Sequence, residues 1–164
     1  MMNDINSHKH ASTFNTAVRA KDAEGYYDII KRPTDLTSVR KAIATGSKAV
    51  SSAASIAASD TPTNSPGGVG GGVVELPVTA DNVPPKSIVN AAQLEKELMR
   101  MFVNAVMFNP GEEGVVNDAR DMFQTVQGLV STWRDVERDS GRGEQGTPAA
   151  EEEEQQGPSK RRKV

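Results

Sequence analysis

The two histidines of this chain, His8 and His10, stand two apart in MMNDINSHKH, with no cysteine anywhere and no carboxylate cluster beside them. Two imidazoles fall short of the ligand set of a protein metal site, so their plain reading is a pair of solvated polar residues. No serine, histidine and aspartate are spaced as a nucleophile with its base. The glycine run GGVGGG lacks the Lys-Ser/Thr and the strand-to-helix frame of a phosphate loop, and reads as a linker. Neither catalytic machinery nor a cofactor is expected. What remains is an amide. In LMRMFVNAVMFNPG an apolar helical run ends on Asn109, and Pro110 and Gly111 turn the chain at once. A terminal Asn can simply stop a helix. It can also present a carbonyl and two N–H donors to a neutral polar ligand.

The elements that must position this amide are helical. NAAQLEKELMRMFVNAVMFN places Leu94, Leu98, Met101, Phe102, Ala105 and Phe108 on one stripe, with Glu95, Lys96 and Arg100 off it. After PGEEG a second strong helix carries Val116, Ala119, Phe123, Val126, Val130 and Trp133 at spacings of three and four. DLTSVRKAIATG reads as a short helix, with Asp35 at its start and Gly46 suited to its end. The residues before Phe14 predict only a short, weak helix. Between Ser12 and Arg32 no period is sustained, yet Phe14, Val18, Tyr26, Tyr27, Ile29 and Ile30 crowd the segment, so this loop is expected to pack. Phe14, Ile29 and Ile30 are expected in the core.

Composition divides the chain further. Hydrophobic residues make up 36% of 164, a low share for a globular chain. Residues 47–85 are rich in Ser, Ala, Gly and Pro and cannot bury enough surface to offset their ordering entropy; they are expected to form a disordered insertion. Residues 139–164 read as a disordered polar tail with an acidic block and a basic end. The folded part is then discontinuous, 1–46 with 86–138. No stretch approaches the roughly 18 apolar residues of a membrane span. The formal charge of −3 argues against direct DNA binding.

GYYDIIKRPTDLTSVRKAI at 25–43 and LMRMFVNAVMFNPGEEGVV at 98–116 together resemble the bromodomain family of acetyl-lysine readers. The family's first loop typically runs from a Tyr-rich stretch through two aliphatics to Pro-Met-Asp-Leu, and its third helix ends in Asn-Ala-x-x-Tyr-Asn. Here these read YYDIIKRPTDL and NAVMFN. The resemblance implies an all-α, left-handed four-helix bundle with a shortened first helix. The long insertion would fall between helices A and B of the family, the tail after the last. It also implies that Asn109 hydrogen-bonds an acetyl carbonyl and that Tyr26 reaches the acetyl oxygen through a water. Val18, Phe108 and Val115 would form the walls, Val115 as gatekeeper, and Ala105 would line the pocket from the helix. The implied partners are acetylated histone tails and the subunits of a histone acetyltransferase complex, in the nucleus.

The match to the family pattern has gaps. Thr34 stands where Met is usual after Pro33, and no Trp-Pro-Phe shelf is present. So few residues precede Phe14 that the first helix is expected to be a stub, or the chain an N-terminally shortened version of a longer protein. PSKRRKV resembles a nuclear import signal, with Lys160, Arg161, Arg162 and Lys163 suited to an acidic groove on an import carrier. The rival to a reader is a degenerate bromodomain acting only as a scaffold subunit.

Overall fold

A computed structural model describes residues 1–59 and 75–142. Among these residues every regular element is a helix: α1 (Met2–Asn6), α2 (Ala11–Phe14), α3 (Tyr26–Ile29), α4 (Leu36–Ser59), α5 (Ala91–Phe108) and α6 (Val115–Arg142). This is the all-helical architecture of a bromodomain-like bundle, and no described helix is long and apolar enough to cross a membrane. The parts of the expected insertion and tail at 60–74 and 143–164, with the import-signal residues Lys160 to Lys163, lie outside the described residues.

The two strong amphipathic patterns form the long antiparallel pair α5 and α6. Leu94, Leu98, Met101, Phe102 and Ala105 of α5 are buried against Val116, Ala119, Val126 and Val130 of α6. Met122, absent from the expected stripe, is fully buried, whereas Phe123 and Trp133 are half-buried at its edge. Leu36, Val39 and Ala42 of α4 close a third side. The short N-terminal segment supplies Ile5, Ala11 and Phe14, and Phe14 meets Phe102 edge-on at 5.6 Å between ring centres. Each large apolar side chain so buried contributes about 1.5–3 kcal/mol. The weak first helix is split in two: Ser7–His10 interrupts it, with Ser7 capping α1 through its bond to the Asn3 carbonyl.

Two expectations are corrected. α4 does not stop at Gly46 but runs on to Ser59, so residues 47–59 of the expected insertion are helical. Alanine is the best helix former, and AVSSAASIAAS supplies five of them. Gly46 serves a different purpose. A Cβ there would lie 2.0 Å from the Ile88 carbonyl oxygen, so glycine lets residues 87–89 cross α4 closely. The Ile88 N–H donates to the Ala42 carbonyl at 3.0 Å, and Ser87 and Ile88 are buried beneath the crossing. The second correction is Ile29, which is exposed. α3 is a single turn that buries Tyr26, and the backbone turns extended at Ile30, which sends Ile30 rather than Ile29 inward.

Candidate functional site

Asn109 ends α5 as the apolar run demands. Its backbone leaves the helix at φ −93°, ψ 120°, and its N–H still donates to the Ala105 carbonyl at 3.1 Å. The side-chain Nδ2 donates to the same carbonyl at 2.9 Å, which holds the amide at the helix end. One amide hydrogen is used in this way. The second, and the Oδ1 acceptor, remain for a ligand. Glycine at 111 and 114, with φ of 91° and 62°, carries the chain through the turn into α6.

Beside this amide is a cavity of about 230 Å³. Asn109, Tyr26, Val18, Phe108, Val115 and Ala105 all line it, together with Phe14 and Met101 on the apolar side. Tyr26 packs edge-on to Phe108 at 4.9 Å and to Tyr27 at 5.3 Å. It is only 6% exposed, and its hydroxyl has no hydrogen-bond partner among the described residues. Burial chiefly, and then the neighbouring Tyr27 and Asp35, raise the pKa of that hydroxyl, so it stays a neutral donor. Val18 sits at the rim, 37% exposed. Its carbonyl accepts a hydrogen bond from the Tyr27 hydroxyl, which ties residue 18 to α3.

The loop that carries these walls is pinned at both ends. Asn15 accepts from the Thr37 hydroxyl at 2.6 Å through its carbonyl, and from Arg40 at 3.0 Å through Oδ1. Asp35, buried, caps α4 by accepting from the Ser38 N–H at 2.9 Å and the Ser38 hydroxyl at 2.8 Å. From α5, Asn104 donates to the Arg32 carbonyl at 3.0 Å. Glu97, 3% exposed, holds Arg32 at 3.2 Å and Arg100 at 2.6 Å with one oxygen. Loop 30–35 is thereby registered against the helix that ends in Asn109.

The bromodomain family model matches residues 1–58. That span takes in α1 to α4 and the Tyr26 loop, but not α5, α6 or Asn109. The match supports the bromodomain family, and with it an acetyl-lysine reader module; bromodomains are reader modules rather than enzymes. A bromodomain pocket must take a neutral amide on an aliphatic stem. The cavity here offers apolar walls, an amide and a neutral hydroxyl, which suits that ligand.

Several residues of the site were not foreseen. Thr13, Thr16, Asp22, Thr34 and Asp35 also line the cavity and make it more polar than the six expected residues would. Nothing periodic marks them. Glu97 and Asn104 did leave a signal: both fall on the buried face of α5, and a charge or amide in an apolar stripe needs a buried partner. The histidines are not solvated as expected. His10 is half-buried, with Nδ1 3.1 Å from Asp118 and Nε2 3.1 Å from Asp121, and His8 Nε2 lies 3.3 Å from the Thr125 hydroxyl. These carboxylates are more than a hundred residues away in sequence and adjacent only in the fold. Lys9 chiefly, with His10, holds the Asp121 carboxyl below its ordinary pKa. Among the described residues no group of three or more such side chains is arranged to hold a metal.

Proposed function

We propose that this chain binds acetylated lysine on histone tails through the Asn109 cavity and performs no catalysis. The observation that carries the reading is that Asn109 shares one cavity with the Tyr26 hydroxyl and the Val18, Ala105, Phe108 and Val115 walls, and that among the described residues its second amide hydrogen, its Oδ1 and that hydroxyl have no partner. Acetylation converts lysine from a hydrated cation into a neutral amide. An apolar cavity accepts that amide at little cost, whereas burying the ammonium unpaired costs several kcal/mol. Asn109 would donate to the acetyl carbonyl and accept from the acetyl N–H, and the Tyr26 hydroxyl would reach the carbonyl through a water. Thr34 and the small shelf leave less apolar contact, so the dissociation constant for a singly acetylated peptide is about 0.1 mM or weaker, or roughly 5 kcal/mol of binding free energy.

The folded unit of this reader would be residues 1–46 with 86–138, extended by the helical 47–59 of α4 and by 139–142, which continue α6 rather than begin the tail. SHKHASTFNTAV ahead of RAKDAEGYYDIIKRP is similar to bromodomain-containing protein 8, a subunit type of nucleosome acetyltransferase complexes. The chain would by that likeness serve such a complex in the nucleus, entering by way of Lys160, Arg161, Arg162 and Lys163 and helping to hold the complex on acetylated chromatin.

One observation favours a second reading, a scaffold that only contacts other subunits. Met99, Val103, Val106 and Met107 form an exposed apolar face on the outside of α5. One NMR titration separates the two. A multiply acetylated histone-tail peptide is added to the wild-type chain beside its unacetylated form, and to Asn109→Ala. Saturable shifts at cavity residues, only with the acetylated peptide and only in wild type, mark a reader. A folded wild type that shows none is a scaffold.

A further inference from the structure

Two charged side chains line the cavity, Asp22 and Asp35, and both are carboxylates. Asp35 is committed to the fold, because both of its oxygens are held by Ser38 at the start of α4. Asp22 is not. It is exposed, and among the described residues its carboxylate has neither a hydrogen bond nor an ion pair. Its sequence neighbours Arg19 and Lys21 form no ion pair with it, and neither lines the cavity. A second group in the same cavity, the Tyr26 hydroxyl, has no protein hydrogen-bond partner among the described residues, although its side chain is only 6% exposed. The wall thus pairs a neutral donor set with a single uncommitted negative charge.

We infer that Asp22 selects the neighbourhood of the acetylated residue: the preferred ligand is an acetyl-lysine with an unmodified lysine or arginine within two residues of it. This rests on the acetyl-lysine reading and names the substrate class of that site. An acetylated lysine has no charge for Asp22 to attract, so the carboxylate cannot discriminate by the inserted side chain itself. It can discriminate by what stands beside it. An extended peptide rises about 3.3 Å per residue, so a cationic side chain one or two positions away reaches back to the rim. An exposed ion pair of this kind changes affinity by about two- to fivefold and weakens with salt.

The test uses the full chain and two short peptides that differ only in whether the residues flanking one acetyl-lysine are lysine or alanine. Each is titrated by NMR at about 0.05 M and about 0.5 M salt, which brackets strong and weak screening. The lysine-flanked peptide is expected to bind about threefold more tightly at low salt, with the gap closing at high salt. Asp22→Asn erases the gap at low salt. Asp28→Asn, an exposed carboxylate outside the cavity lining, keeps it, which separates local contact from the overall negative charge of the chain. A gap that survives in Asp22→Asn, or no gap in wild type despite acetyl-dependent binding, overturns the role of Asp22 alone. Binding of both peptides that ignores acetylation, or no binding by a folded chain, overturns the reader itself and this inference with it.

Discussion

Replacing Gly46 by alanine is expected to damage the protein in a way that runs against helix propensity. In an exposed helix the change stabilises by about 0.5–1 kcal/mol, because alanine loses less backbone freedom on folding. At residue 46 the new methyl would stand 2.0 Å from the Ile88 oxygen, 2.7 Å from its carbonyl carbon and 3.0 Å from Val89 Cγ1. Two of these three neighbours are backbone, so no rotamer change relieves the overlap. Segment 87–89 must move outward by about 1 Å or more, given an ordinary carbon–oxygen contact above 3 Å. That shift breaks the Ile88 N–H bond to Ala42, worth about 1 kcal/mol, and partly uncovers Ile88, worth about 1.5–3 kcal/mol when fully buried. With about half of that burial lost and the propensity gain subtracted, the net loss is about 1–2 kcal/mol. Urea unfolding followed by far-ultraviolet circular dichroism measures it. Gly128→Ala is the internal control, since a Cβ at 128 in α6 meets nothing within 4 Å. If Gly46→Ala is neutral or stabilising like its control, the close crossing of α4 by residues 87–89 does not exist in solution.

Four further outcomes follow from the same geometry. Asn109→Ala is expected to weaken binding of acetylated peptide at least about tenfold, while the loss of its bond to Ala105 costs only about 1 kcal/mol of stability; titration and urea unfolding measure the two separately. Tyr26→Phe removes a hydroxyl without a protein partner among the described residues, so stability should change by less than about 0.5 kcal/mol while peptide affinity falls about fivefold. Glu97→Ala should cost about 2 kcal/mol, less than a fully enclosed charge pair, because Arg32 is 43% exposed and can recover water when it is released. The raised pKa of Tyr26 carries an alkaline signature. The folded state favours the neutral phenol, so its contribution is whole below the ordinary value of 10.0 and fades as pH rises through the higher folded value. Urea midpoints measured between about pH 8 and 11 should fall more steeply in wild type than in Tyr26→Phe.

The parts of the fold that were legible are those whose signal is local. α5 and α6 follow from stripes with a 3.6-residue period, and the Asp35 cap follows from residue type alone. Asn109 stood out because Pro110 and Gly111 force a turn directly after an apolar run, and the cavity gathers all six residues expected around it. Gly46 was misread because a glycine that ends a helix and one that admits a crossing backbone look alike in sequence; only the position of Ile88 tells them apart. Residues 47–59 were misread because low side-chain volume argues for disorder while alanine content argues for helix. His10 could not be placed because Asp118 and Asp121 reach it only after α6 packs on the N-terminal segment. Asp22 had no pattern to declare it, since a rim residue in an irregular loop obeys neither helical nor strand periodicity.

The double grip of Asn109 on Ala105 has a consequence for how fast a ligand is taken up. Backbone N–H and side-chain Nδ2 converge on one carbonyl, so the amide rotamer is set before any ligand arrives. A peptide that meets it does not have to freeze a swinging side chain, a cost of about 0.5–1.5 kcal/mol for a mobile one. Association should then be a single bimolecular step whose observed rate rises linearly with peptide concentration and shows no plateau from a slow rearrangement. Weak binding by such a site would lie in rapid departure, with the ligand leaving a pocket that never had to close around it.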